Sequence, residues 1–224
     1  MARLRCASSL GIGCSCRPCQ TQYRMNLSVD RVPSPLGMLT IVTNDDTLVA
    51  LDFDDSSHRM HRLLKRHYGG VKLCVARERI GARDALDAYF AGDLCAINAL
   101  PISTGGNVFA RSVWKALRAI APGTTEGYGD LAARIGRPRA ARAVGLANSA
   151  NPIAIVVPCH RVIGANRTLT GYAGGLARKE WLPRHQGAAP LFDMNRNARS
   201  VQIDLTASKM NSGRPNSAIR VRPR

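Results

Sequence analysis

Two short runs in the first third of the chain are dense in aliphatic and β-branched residues. They are Leu39-Thr40-Ile41-Val42-Thr43 and Thr47-Leu48-Val49-Ala50-Leu51-Asp52-Phe53, separated by the turn formers Asn44-Asp45-Asp46. Such runs around a polar turn predict a β-hairpin. The period then changes to that of a helix. Ser57 to Tyr68 reads as a basic amphipathic helix closed by Gly69-Gly70, and Ala82 to Ala91 as another, with Leu86, Tyr89 and Phe90 on one side. Together these elements predict a small α/β domain over residues 25–105, in which no cluster of catalytic residue types stands out.

Beyond residue 105 helical spacing dominates. Ala110 to Ala121 carries Val113, Trp114, Leu117 and Ile120 on one face and stops at Pro122-Gly123. Tyr128 to Ile135 and Arg139 to Asn148 are two short helices joined by Gly136-Arg137-Pro138, the pattern of a helix-turn-helix. The second of them sets Arg139 and Arg142 among alanines, small enough for close approach to a duplex. Next, Asn151 to Val157 reads as an apolar extended segment that ends at Pro158 and presents Cys159 and His160. No run of 18 apolar residues occurs, so no membrane-spanning segment is expected.

Charge changes this picture more than overall composition does. The formal net charge is +17, with 32 basic and 15 acidic residues. Residues 25–105 hold 9 basic and 10 acidic groups, whereas residues 106–187 hold 12 and 3. Of these two halves only the helical one carries a positive excess, as expected of a polyanion-binding domain behind a neutral one. Residues 1–24 read as a disordered extension, with Met25 as the expected natural start, and residues 188–224 as a basic, disordered tail. Seven cysteines, an odd number without a regular framework, point to a reducing, cytoplasmic setting. The spacing of Cys6, Cys14, Cys16 and Cys19, with no histidine among them, fits no standard zinc knuckle, so no metal site is expected.

Cys159 beside His160 is ambiguous by itself, because a buried cysteine is usually an inert small hydrophobe. Catalysis requires a thiolate, which needs a base or a nearby cation. The run Pro158-Cys159-His160-Arg161-Val162-Ile163 resembles the active-site signature of the methylated-DNA–protein-cysteine methyltransferases (O6-alkylguanine-DNA alkyltransferases). Upstream, Val113-Trp114, Gly123-Thr124, Tyr128-Gly129-Asp130-Leu131-Ala132 and Ala140-Ala141-Arg142-Ala143-Val144-Gly145 stand where that family has them. Downstream, Gly171-Tyr172-Ala173-Gly174-Gly175-Leu176, Lys179 and Trp181-Leu182 continue the match, and Pro33-Ser34-Pro35-Leu36-Gly37 resembles its bacterial N-terminal domain. The resemblance covers residues 29–187.

The resemblance implies an α+β protein: a small hairpin-based α/β domain, then a mainly helical helix-turn-helix domain over residues 106–187 that carries the cysteine. It implies stoichiometric, cofactor-free transfer of an alkyl group from O6 of guanine, and from O4 of thymine, in double-stranded DNA to Cys159, by a monomer. His160 would be the base acting through a water, and Asn151 would tie the recognition helix to the active-site segment. Tyr128 would help rotate the target nucleotide, Arg142 would fill the gap, and Gly129, Arg137 and Ala141 would meet the duplex. Pro158, Val162, Tyr172 and Ala173 would line the guanine pocket. The base must leave the stack because O6 of a stacked guanine is closed to in-line attack.

This chain departs from the family pattern near its end. His185-Gln186-Gly187 stands where a His-Glu-Gly run steers the catalytic histidine, so Gln186 can accept a hydrogen bond from imidazole but cannot stabilise imidazolium by charge. Pro183 replaces a leucine and is expected to end the last helix early and displace Gln186. Gly127, Ala110 and Asn166-Arg167 differ as well. Two other readings compete: a module that binds alkylated DNA with weak or no transfer, and a cysteine hydrolase using Cys159 and His160.

Overall fold

The computed structural model describes residues 25–76, 80–164 and 167–189, so the Cys6–Cys19 cysteines, the N-terminal extension, Asn166 and nearly all of the basic tail lie outside it. The predicted hairpin forms as β2 (Leu39–Asn44) and β3 (Thr47–Phe53), paired antiparallel with a bulge between Val42 and Thr43. Two strands not predicted from the pattern complete the sheet. β1 (Met25–Val32) pairs antiparallel with β2, and β4 (Val71–Val75) pairs parallel with β1, giving the order β3-β2-β1-β4. In β1 only Leu27 and Val32 are fully buried, with Asn26, Ser28, Asp30 and Arg31 interleaved, and β4 is a partly exposed edge. Neither strand carries the apolar density that marks the hairpin.

Strands β2 and β3 are buried along almost their whole length because both faces of the sheet are covered. On one face, α1 (Ser57–Tyr68) inserts Met60 and Leu64 against Leu27, Val42, Val49 and Ala50. On the other, Leu39, Ile41, Leu48, Leu51 and Phe53 join α2 (Gly81–Phe90) and the helical half in one continuous core that reaches Trp114, Leu117, Val144, Val157 and Cys159. α3 (Val108–Arg118) starts at Asn107, whose side chain accepts from Ala110 N at 2.8 Å, and its Trp114 Nε1 donates to Ala147 O at 2.9 Å. α4 (Tyr128–Arg134) and α5 (Ala141–Ser149) follow, joined through Gly136, and α6 (Leu176–His185) closes the fold.

The sheet and the active-site segment are linked through the backbone. Leu51 N donates to Pro152 O at 3.0 Å and Ala154 N to Leu51 O at 2.8 Å, so β3 pins the residues that precede Cys159. The expected extended run from 151 to 157 is only a single bridge at Ile153, followed by a tight buried turn through residues 154–156. Ile155 takes φ of +67° there, a conformation that costs a β-branched residue about 1–3 kcal/mol and persists only where its surroundings enforce it. A turn buried this deeply needs partners for its carbonyls.

Pro183 does not end α6. The helix continues to His185, because a proline three residues from the C-terminus removes one helical hydrogen bond, and Gln186 N still reaches Leu182 O at 3.2 Å.

The sheet also touches the loop that precedes α6. The Phe53 ring packs edge-on to Tyr172, with centroids 6.4 Å apart, and the Arg178 guanidinium lies 4.1 Å above the same ring. Gly174 lies so close that a Cβ there would overlap the Phe53 ring and come within 2.8 Å of Tyr172 Cε1. Gly174→Ala is therefore expected to lower stability by about 1–3 kcal/mol through overpacking. Adding Phe53→Ala should recover part of that loss, measured as the coupling in a thermal-denaturation double-mutant cycle; purely additive effects would show that the two residues do not meet.

Candidate active site

Cys159 opens a single 3-10 turn, Cys159–Arg161, immediately after Pro158, and is 5 % exposed. Asn151 is almost wholly buried and organises the turn above it. Its Nδ2 donates to Val157 O at 2.8 Å, to Ile153 O at 3.2 Å and to Cys159 Sγ at 3.1 Å, while its Oδ1 accepts from Ile153 N at 3.0 Å. A single amide thus caps the buried turn and points an N–H at the sulfur. Asn148 of α5 adds a bond from Nδ2 to Cys159 O at 3.2 Å.

Burial pushes the Cys159 thiol pKa up, opposed by the Asn151 hydrogen bond and by the cations Arg59 and Lys179. The resting group is therefore a neutral thiol, with the means to stabilise an anion already in place. His160 is fully buried, and its pKa is depressed to about 3, first by burial and then by the neighbouring Arg161 charge, with Gln186 opposing. Its Nε2 lies 3.3 Å from Gln186 Oε1, and Nδ1 has no hydrogen-bond partner among the described residues.

The tautomer of His160 follows from its neighbours. Arg161 Nε, which can only donate, lies 2.9 Å from Gln186 Oε1, and Arg161 Nη1 donates to Ile120 O. That donor forces the carbonyl end of the Gln186 amide toward Arg161 and His160. The amide nitrogen then donates to Tyr89 Oη at 2.7 Å. Facing an acceptor, His160 Nε2 carries the proton, and Nδ1 keeps the lone pair. Gln186 is held here by a close backbone approach: Gly123, at φ of +78°, would place a Cβ 2.8 Å from Gln186 O.

A narrow cleft above the sulfur is lined by Asp52, Arg59, Asn148, Asn151, Tyr172 and Ala173. Tyr172 Oη is buried without a hydrogen-bond partner among the described residues. An adjoining, more open cleft lies between Tyr128, Gly145, Ser149, Thr170, Tyr172 and Ala173. Pro158 and Val162 are buried beside the cysteine and line neither cleft. The Tyr128 hydroxyl accepts from Thr170 Oγ1 at 3.3 Å, and the buried Lys179 Nζ lies 5.8 Å from the Tyr128 ring centre while donating to Thr170 O at 2.9 Å. Desolvation brings Lys179 down to about 8, and a thiolate at Cys159 would raise it. Gly129, Arg137, Arg139 and Arg142 are exposed on the α4–α5 surface and Ala141 is half-buried there.

The N-terminal half, in which no cluster of catalytic residue types stands out in the sequence, nevertheless contributes directly. Asp52 pairs with Arg59 at 2.5 Å, and Arg59 Nη2 donates to Ser149 O at 2.8 Å and Asn151 O at 2.7 Å. Tyr89 and Phe53 support the opposite side, through Gln186 and Tyr172. The sequence pattern places Tyr89 only on an apolar face, yet a buried tyrosine hydroxyl needs a polar partner, and that signal could have marked it. Among the described residues no group of three or more His, Cys, Asp or Glu side chains is arranged to hold a metal ion.

Residues 31–104 match the family described as 6-O-methylguanine DNA methyltransferase, ribonuclease-like domain, and residues 108–188 match the DNA binding domain of the same family. A methylated-DNA–protein-cysteine methyltransferase of Salmonella typhimurium is 52% identical over 166 residues, covering 73% of this chain and 97% of that protein. The corresponding protein of Mycolicibacterium paratuberculosis is 47% identical over 167 residues, covering 72% and 96%. The crystal structure of Mycobacterium tuberculosis OGT in complex with DNA superposes with a TM-score of 0.59 at 40% identity, covering 74% of this chain and 96% of that one.

Gln186→Glu would place a carboxylate against both His160 and the buried Arg161. A charged acceptor adds roughly 1 kcal/mol over a neutral one, which corresponds to about fivefold more thiolate at a given pH. The Cys159 thiol should therefore ionise at lower pH in this variant, read from its alkylation rate by a small electrophile against pH. The same change alters acid stability. Folded His160 titrates near 3 against 6.5 unfolded, so folding excludes a proton: stability is complete above about 6.5 and is lost as the pH falls toward 3. Gln186→Glu raises the folded value and should shrink that loss, measured by urea denaturation across the window. Unchanged thiol ionisation and unchanged acid stability would mean that side chain 186 does not act on His160.

Proposed function

This chain belongs to the methylated-DNA–protein-cysteine methyltransferase family, and from that premise we propose how its own residues carry out the transfer. The protein binds DNA and repairs it by moving an alkyl group directly onto one of its cysteines. Cys159 is the acceptor, O6 of an alkylated guanine in a duplex the main donor and O4 of thymine a second one. The observation that carries this reading is the buried sulfur itself, facing an N–H of Asn151 at 3.1 Å at the floor of a cleft, next to a histidine whose free nitrogen is Nδ1.

In the step, His160 Nδ1 takes the thiol proton through a bridging water. The Cys159 sulfur attacks the alkyl carbon in line, the S–C bond forms as the C–O6 bond breaks, and the electron pair passes to the guanine as an anion shared between O6 and N1, which takes up at N1, through water, the proton that His160 had removed. Sulfur is both nucleophile and final acceptor, so the step balances without a cofactor, and the thioether is not turned over. Asn151, Arg59 and Lys179 oppose the cost of the transient anion. Gln186 orients the imidazole but leaves the imidazolium without a counter-charge, which favours a slower transfer than a glutamate would give. It does not favour loss of transfer, because thiol, amide donor and histidine are all kept.

Access requires rotation of the nucleotide out of the stack. The exposed α4–α5 surface supports a helix-turn-helix that lies along the minor groove, with Gly129, Arg137 and Ala141 against the backbone and Arg142 entering the gap. Tyr128 stands at the mouth of the cleft, where it would press on the phosphate of the rotated nucleotide, and Tyr172 and Ala173 close over the base. The protein works as a monomer in the cytoplasm. No helix among the described residues is long and apolar enough to cross a membrane.

Cys159→Ala should abolish transfer from methylated duplex while leaving affinity for that duplex within about twofold, since the sulfur accepts the group but does not anchor DNA. Residual stoichiometric transfer by the alanine variant would rule out Cys159 as the acceptor. Arg142→Ala should slow repair of duplex by about tenfold or more, on the order expected when a positioning group is removed, and leave attack on free O6-benzylguanine nearly unchanged. Equal losses on both substrates would move Arg142 from the duplex to the fold or the pocket.

A further inference from the structure

Among the described elements, helix α1 carries the most one-sided charge. Its 12 residues include Arg59, Arg62, Lys65 and Arg66 together with His58, His61 and His67, and no acid. Met60 and Leu64 face the core, and Arg59 is taken up by Asp52 and the carbonyls of Ser149 and Asn151. Arg62, Lys65 and Arg66 are exposed, and none of them pairs with a carboxylate among the described residues. Arg62 lies three and four residues before the other two, so their charges repel one another across one helix face. The helix dipole welcomes cations in the last turn, which accounts for Lys65 and Arg66 but not for Arg62.

The direction of this face is what matters. A groove is lined on one side by Arg62, Lys65 and Arg66 and on the other by Ser149 and Ala150, at the C-terminal end of α5. A second groove beside it joins Arg66 to Ala143 and Leu146 of α5. The unpaired cations of the N-terminal half therefore border the helix that carries Arg142. The near-zero net charge of residues 25–105 conceals this, because it also counts acids such as Asp45 and Asp46 in the hairpin turn and Asp54 and Asp55 after β3.

We propose that the exposed face of α1 is a second duplex-DNA-binding surface, which takes the phosphate backbone flanking the groove where α5 docks. The inference rests on the reading of α5 given under Proposed function. It assigns to the N-terminal domain a sequence-independent share of DNA affinity, through Arg62 and Arg66 above all, with Lys65 between them. A row of unpaired, solvated cations continuous with the α5 surface matches a regularly charged polyanion, and its contribution should carry the salt dependence of phosphate neutralisation.

The test uses the full chain with Arg62→Ala and Arg66→Ala combined. Binding to a duplex with one O6-methylguanine, and to the unmodified duplex, is measured across a salt series. The slope of log affinity against log salt should become shallower by about 2, at roughly 0.9 for each phosphate no longer neutralised, with affinity falling about tenfold or more near ~0.1 M salt, alike for both duplexes. The rate on free O6-benzylguanine should not change, which also reports an intact fold. Unchanged slope and affinity would overturn the proposal. If Arg142→Ala still impairs duplex repair in that case, the α5 reading survives and only the α1 surface is wrong; if it does not, both fail.

Discussion

As the proposed acceptor, the sulfur of Cys159 has to become an anion in a place that penalises anions, and much of the surrounding structure bears on that conflict. Burial raises the thiol pKa and empties His160 of its proton, so the resting pair is neutral on both sides. A neutral pair in a dry core is unreactive toward stray electrophiles and oxidants, which suits a protein that can use its cysteine only once. The opposing elements are fixed in advance: an Asn151 N–H on the sulfur, the Arg59 cation behind Asn151, and Lys179 held partly desolvated nearby. Preorganised dipoles and charges of this kind need no rearrangement as the thiolate forms, and in a low-dielectric site they act more strongly than they would in water.

That requirement explains why the N-terminal domain cannot be separated from the chemistry. β3 pins the active-site turn through Leu51, Arg59 reaches across to the backbone of Asn151, Phe53 supports the loop of Tyr172 and Tyr89 receives the amide of Gln186. The core is continuous across the two halves, so the strained turn at Ile155 is held from both sides. Gln186 shows how a local substitution is absorbed. A glutamate would present two equivalent acceptors, whereas an amide has two different ends, and the Arg161 donor decides which end faces His160. Orientation is thereby kept, and only the charge is lost.

Much of this is legible in the sequence, for definite reasons. The hairpin, α1 and α3 announce themselves through dense apolar periodicity, and Pro158-Cys159-His160-Arg161 through a family motif. β1 and β4 escape the pattern because polar residues break up the first and the second is an edge with little buried area. Pro183 misleads because a proline near a helix end costs one bond rather than the helix. The partners of Tyr89, Asp52 and Phe53 are invisible for a different reason. Tyr89 and Gln186 are 97 residues apart, and no local pattern encodes an interaction of that range. The cationic character of α1 is plain in the sequence, but the direction of its charged face depends on the packing of α1 beside α5.

On the proposed mechanism the buried sulfur of Cys159, and no other thiol, takes the alkyl group, once per molecule. The most direct measurement is peptide mass spectrometry after incubation with excess duplex containing O6-methylguanine, with Cys74 and Cys95, both exposed, serving as internal controls. The Cys159 peptide should gain the mass of one methylene in every active molecule, the Cys74 and Cys95 peptides should stay unchanged, and the treated protein should repair no second substrate. Repaired DNA alongside an unmodified Cys159 peptide, or methylation of an exposed cysteine in its place, would contradict it.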